Sequence, residues 1–204
     1  MSREIFPVSS HSGSRGPGYN ARLPQTEGNA EAMDPPCELL IAEKMRDLDF
    51  GKLMKLYRAY NARYGAEAAP DKAEAEQLFF AENQFREFLT DNFFSQNGAG
   101  YFIRVWNGRY ASALRLWRYQ DGFLIEGLET DPDFRRMGHA THLIQAVQER
   151  TPLETRLYAH VHKRNRASLS LHKKADFQMY LDFARGIFGD VSSEFVTLVW
   201  IKRG

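Results

Sequence analysis

Leu128-Glu129-Thr130-Asp131-Pro132-Asp133-Phe134-Arg135-Arg136-Met137-Gly138-His139-Ala140 joins the end of one apolar run to the start of an amphipathic one. Residues 123–130 read as a strand, and Ala140, Leu143, Ile144 and Val147 recur at helical spacing after the turn. The turn carries Arg135-x-x-Gly138-x-Ala140. Gly138 lets backbone approach a ligand, and Ala140 keeps the first helical turn small. The helix start presents unpaired N–H groups and a partial positive charge, to which Arg135 and Arg136 add full charges. This is an anion cradle suited to a pyrophosphate, although a plain capping role fits the same residues. The glycines of the dinucleotide fingerprint and the lysine of the P-loop are missing.

Upstream, residues 38–43 read as a first strand, with Asp47 as the expected cap of a helix carrying Phe50, Leu53, Met54 and Tyr57 on one face. Gly65 and Pro70 mark a loop before a second helix with Leu78, Ala81, Phe85, Phe88 and Leu89. Strands at 101–106, 109–119 and 123–130 follow, joined by Asn107-Gly108 and Asp121-Gly122, pairs that favour tight hairpin turns. Downstream of the central helix come a strand at 155–161, a helix at 166–175, and strands at 177–185 and 194–202. The order β-α-α-β-β-β-α-β-α-β-β predicts an α/β fold: a mixed, mainly antiparallel sheet of about seven strands with helices on both faces.

The 204 residues suit one such domain. Residues 1–36 are rich in Ser, Gly, Pro and Asn and are expected to form a disordered tail, with Met33 a candidate start and the folded domain spanning 37–204. A net charge of +1 gives no strong attraction to nucleic acid or membrane. No apolar run is long enough for a membrane helix or a secretory signal, and the single cysteine, Cys37, has no internal partner. A reducing, cytoplasmic setting is expected.

Twenty-five residues after Ala140 begins Asn165-Arg166-Ala167-Ser168, followed by Leu171-His172-Lys173-Lys174-Ala175-Asp176-Phe177. Together with the turn at 135–140, this segment resembles the two cofactor-binding motifs of the GNAT superfamily of N-acetyltransferases. The resemblance covers residues 38–204 in element order and is sharpest from 124 to 177. It implies acetyl-CoA as acyl donor, with the pantetheine arm in a V between strands 123–130 and 155–161. Backbone groups of Leu128 and Thr130 would bond the pantetheine and the acetyl carbonyl. Backbone N–H groups of Arg136, Met137, Gly138, His139 and Ala140 would hold the pyrophosphate beside Arg135. Asn165 would bond the arm through its amide, with Ser168 in the same motif. As a plain helix cap, Asn165 would need no ligand.

Two residues depart from the family pattern. His172 stands where a tyrosine commonly protonates the leaving thiolate, and Asp176 where a glycine is usual. An imidazole with an ordinary pKa near 6.5 is mostly neutral at pH 7, so a donor role for His172 requires a raised value. Direct transfer needs a base for the amine proton but no metal. Glu126 is the candidate, expected on the same side of its strand as Leu128 and Thr130, with Glu129 facing the other way. A salt-bridged strand residue is the alternative reading of Glu126. His160 and His162 share a face with Tyr158 but have no third ligand, so cleft lining or packing is expected rather than metal binding. His139 and His142 are expected in solvent, and so is most of the basic run Lys163, Arg164, Arg166, Lys173 and Lys174.

The resulting expectation is an N-acetyltransferase acting on a primary amine of a small molecule or peptide through a ternary complex. A catalytically weak acyl-CoA-binding regulatory module is the alternative. The acceptor is not legible, and oligomeric state stays open, a homodimer included.

Overall fold

The computed structural model describes residues 37–203. The expected disordered tail therefore lies outside the described residues. Strand β1 (Cys37–Ala42) leads through a 3-10 turn at Met45–Asp47 into α1 (Phe50–Leu56), α2 (Arg58–Ala68) and α3 (Glu74–Glu87). Strands β2 (Gly100–Trp106), β3 (Arg109–Tyr119) and β4 (Gly122–Thr130) follow, then α4 (His139–Arg150), β5 (Arg156–His162) and α5 (Arg166–Lys174). The chain ends with β6 (Gln178–Leu181), β7 (Ala184–Arg185), β8 (Val191–Ser192) and β9 (Phe195–Ile201).

Seven strands form one sheet in the order β1-β2-β3-β4-β5-β9-β6, and β7 pairs with β8 in a separate hairpin. Among the sheet's neighbours, β4 and β5 run parallel and the other pairs antiparallel. One face packs on α1–α3: Leu53, Tyr57, Phe85 and Leu89 meet Tyr101, Ile103, Ala113 and Trp117. The other face packs on α4 and α5: Leu143, Ile144, Val147 and Leu171 meet Leu114, Leu116, Ile125, Leu157 and Ala159. Burying each such side chain stabilises the fold by about 1.5–3 kcal/mol, so both helix layers are anchored by apolar contact.

Local readings need correction in three places. Asp49 rather than Asp47 caps α1, its Oδ1 accepting from Lys52 N at 3.0 Å. Asp47 instead closes the preceding turn by accepting from Lys44 N at 2.9 Å. The first helix breaks at Tyr57, whose backbone leaves helical values while its hydroxyl donates to the Gly127 carbonyl of β4. Gly65 lies inside α2, not in a loop, and a Cβ there would stand 2.2 Å from the Gln77 carbonyl oxygen of α3. That glycine serves close helix packing.

Candidate active site

The site forms where β4 and β5 part. Their parallel pairing runs from Gly122↔Arg156 to Ile125↔Ala159 and stops there. Beyond that point β5 continues beside β9 as far as His162, while β4 continues beside β3 as far as Thr130. A cleft opens between them, lined by Glu126, Leu128 and Thr130 from β4, His160 from β5, and Asn165, Ser168 and His172 around α5.

A β-bulge shapes the β4 wall. Ala113 pairs with Glu129 and Arg115 with Glu126, so β4 holds one extra residue between these pairs. Gly127 carries the bulge at φ +56, and a Cβ there would come within 2.9 Å of Arg115 Nη2. The extra residue reverses the alternation. Glu126 lies opposite Arg115 on the α1–α3 face, whereas Leu128 packs into the α4–α5 layer. Glu129, opposite Ala113, returns to the face of Glu126. The expectation that Glu126 shares a side with Leu128 and Thr130, and that Glu129 opposes it, is thus corrected.

Glu126 is largely enclosed and sits 3.8 Å from Arg115 Nη2. Burial pushes its carboxyl above the ordinary range, and the Arg115 guanidinium offsets this only partly. Arg115 is itself buried, with its guanidinium 5.0 Å from the Phe88 ring centre and 5.5 Å from that of Phe85. Glu129 is engaged by Arg135 Nη2 at 3.3 Å, and Arg135 Nε also donates to the Thr130 carbonyl at 3.2 Å. Thr130 Oγ1 lies 3.0 Å from Ser112 Oγ, which fixes the end of β4 against β3.

The turn after β4 is built to aim backbone. Asp131 accepts from Asp133 N at 3.0 Å and from Arg109 Nη2 at 2.9 Å. Arg136 (φ +64) and Gly138 (φ +85) both take left-handed backbone. The first α4 amide bonded back along the helix is His142 N, to the Gly138 carbonyl, so those of His139, Ala140 and Thr141 have no acceptor within the helix. His139 is not in solvent. It is buried, with ring centres 5.3 Å from Trp106 and 5.7 Å from Phe134, and burial lowers its pKa. Its place one turn before Leu143 puts it on the apolar stripe of α4. His142 is exposed, as are Lys163, Arg164, Arg166, Lys173 and Lys174.

On the far wall, Asn165 caps α5, its Oδ1 accepting from Ser168 N at 3.0 Å. Its amide NH2 is the end suited to donating to a ligand carbonyl. Asp176 takes the left-handed conformation (φ +62) that ends α5, and Phe177 N donates to the His172 carbonyl at 3.0 Å. His172 is buried and edge-on to Phe177 at 5.1 Å. Its Nδ1 lies 2.9 Å from the Ser168 carbonyl, an acceptor, so that nitrogen carries the proton and Nε2 is a bare lone pair. Burial lowers the pKa, the Ser168 contact notwithstanding. A neutral imidazole of this tautomer has no proton to give at Nε2. The donor role expected of His172 needed a raised pKa and does not fit this geometry.

A sequence model of the acetyltransferase (GNAT) family matches residues 53–177. The chain belongs to that family. It is accordingly an acetyl-CoA-dependent acyltransferase. Solved structures share the fold. The PaiA N-acetyltransferase of Thermoplasma acidophilum, solved with coenzyme A, superposes with a TM-score of 0.55 at 10% identity, covering 80% of this chain and 99% of its own. A GNAT-family protein from Desulfovibrio desulfuricans gives a TM-score of 0.52 at 11% identity, covering 81% of this chain and 99% of its own. None of the curated proteins compared is a match.

Of the residues singled out in the sequence, Glu126, Leu128, Thr130, Arg135, Ala140, Asn165, Ser168 and His172 line one cleft. Arg136, Met137 and Gly138 lie in the turn before α4 and His139 begins that helix, just ahead of the cleft residue Ala140. Sequence reasoning gave no site role to Gly127, a cleft residue; for His160 it offered cleft lining or packing, and His160 lines the cleft. A single sequence carries no signal for the bulge at Gly127.

Proposed function

We propose that this GNAT enzyme transfers acetyl directly from acetyl-CoA to a primary amine, both substrates meeting in the V between β4 and β5, with Glu126 as the base. The parting of the two strands beyond Ile125 and Ala159, with a largely enclosed carboxylate at its apex, is the observation that carries the reading. The β4 edge there is open to hydrogen-bond the pantetheine arm, and the amides of residues 136–140 are set for the pyrophosphate, with Arg136 adjacent. Among the described residues Arg136 makes no salt bridge, whereas Arg135 is already committed to Glu129 and Thr130. Asn165 would donate its amide to the arm. Acetyl-CoA supplies an activated thioester.

In the reaction an amide C–N bond forms and the thioester C–S bond breaks. The acceptor ammonium must lose two protons to become an amide: Glu126 takes one, and the other reaches the departing thiolate through water. Its raised pKa makes it a better base than an exposed glutamate. Water protonates the departing thiolate, because His172 holds no proton there. The test is thiol release from acetyl-CoA with a panel of alkyl, aryl-alkyl and peptide amines. Turnover with primary amines that falls in Glu126→Gln supports the reading. Tight coenzyme binding without thiol release from any amine would favour an acyl-CoA-binding module instead.

A further inference from the structure

The α1–α3 face of the cleft holds a second polar group beside Glu126. Leu124 and Tyr158 pair across β4 and β5 and share a small core cluster with Tyr119. Two residues further along each strand stand Glu126 and His160. They are the first residues on this face beyond the last paired positions, Ile125 and Ala159. His160 is 7% exposed and lines the cleft, and its Nε2 is buried with no hydrogen-bond partner. Its ring is held edge-on by Tyr119 at 5.4 Å. The Tyr119 hydroxyl cannot serve it, since that group donates to the Arg185 carbonyl at 2.8 Å. Burial lowers the His160 pKa to about 4, with Asp190 opposing only weakly, so the ring is neutral at pH 7. A buried polar atom in the wall of a substrate cleft calls for a partner, and a ligand entering the cleft can supply one.

Chemistry defines that ligand. A neutral primary amine attacks with its lone pair toward the acetyl carbon, which leaves two N–H bonds pointing away. Glu126 accepts one. The second needs another acceptor, and His160 lines the same cleft from the strand across the parting from Glu126. A secondary amine has a single N–H and would press its alkyl group against one of the two acceptors.

Resting on the proposed amine acetylation, we infer that His160 is a substrate-positioning residue whose Nε2 accepts the second N–H of the attacking amine, making the enzyme selective for primary over secondary amines. The test compares kcat/KM for the best primary amine of the panel and for its N-methyl analogue. Parent, His160→Leu and His160→Gln are each measured, with coenzyme A affinity followed alongside. The parent is expected to prefer the primary amine by about 100-fold or more, the scale on which a hydrogen-bonding site rejects a ligand lacking one bond. In His160→Leu the primary amine should lose about 10–100-fold, the scale of an acceptor lost in a buried site. The N-methyl analogue should change little and coenzyme A affinity should hold. His160→Gln, whose side-chain oxygen can accept, should restore part of the preference. Equal loss for both amines, or an unchanged preference in His160→Leu, overturns the inference while leaving the acetyltransferase reading intact. Should the Leu variant not fold, the parent decides alone: equal rates with both amines overturn the inference. A parent that turns over no amine defeats the underlying reading instead.

Discussion

Glu126 is held between two opposed effects: burial disfavours its charge and Arg115 favours it, with burial the larger. The consequences run in opposite directions for activity and stability. The base works as a carboxylate, so kcat should fall as pH drops through its folded pKa, at a pH above the ordinary 4.5. Because the folded pKa is raised, the native state binds this proton more tightly than the unfolded chain does. Stability from this residue is therefore greatest below the ordinary pKa and declines as pH rises through the raised one. Glu126→Gln should lower kcat by about 10²–10⁴-fold, read by thiol release, while its melting temperature at pH 7 stays at or above that of the parent. A Gln variant that melts lower would show that Arg115 depends on the charge. His172→Phe should leave the shape of the pH profile unchanged, since a neutral, buried imidazole adds no titration near pH 7. A lost histidine limb in that profile would restore the donor role. At this scale the sequence identified residues better than environments. His139 and His172 were both legible as site positions, but their lowered pKa values follow from burial, beside Trp106 and Phe134 for His139 and beside Phe177 for His172, which tertiary packing creates.

The β4 strand shows what periodicity misses. Its two-residue alternation holds up to the bulge, with Leu124 and Glu126 on one face and Ile125 on the other. Past Gly127 each side chain is on the face opposite to the one expected, because one inserted residue shifts the phase. Gly127→Ala should cost about 1–3 kcal/mol in urea unfolding, from a left-handed backbone and a Cβ crowding Arg115. It should also reduce kcat more than coenzyme A affinity, since Arg115 and Glu126 move before the pyrophosphate cradle does. Loss of affinity with kcat preserved would place the bulge's role elsewhere. The turn into α4 was read more fully: strand and helix start lie where the motif put them, and the structure adds that Gly138 between them is left-handed. Gly138 is a poor mutational probe, because any side chain at φ +85 is strained whatever binds there. Arg136→Ala tests the cradle more cleanly. It should weaken acetyl-CoA binding about tenfold by calorimetry, and less so at high salt, with the melting temperature unchanged.

Across the molecule, strand count, the mixed sheet and two-sided helix cover were legible because apolar patterning and turn residues report them directly. The β7–β8 hairpin was not, since strands of two residues leave no periodic signal. All seven sheet strands and every candidate site residue fall within 37–203. Deleting residues 1–32 should therefore leave melting temperature and thiol release unchanged, and a folded but inactive truncation would give that segment a function. Saturating acetyl-CoA at about 100 Kd should stabilise the folded state by about 2.7 kcal/mol and raise the melting temperature by about 5–10 °C. The parting of β4 and β5 also has a mechanical meaning. A continuous sheet resists bending because every strand is laced to its neighbours. Here just four residue pairs, Gly122↔Arg156 through Ile125↔Ala159, lace β1–β4 to the unit of β5, β9 and β6. Those pairs lie at one end, so they act as the pivot of a pair of jaws whose open end is the cleft. Backbone amides of residues 126–130 on the β5 side should exchange with deuterium faster than those of β3. Coenzyme A bound in the gap should slow them, replacing the lacing that the second half of β5 withholds.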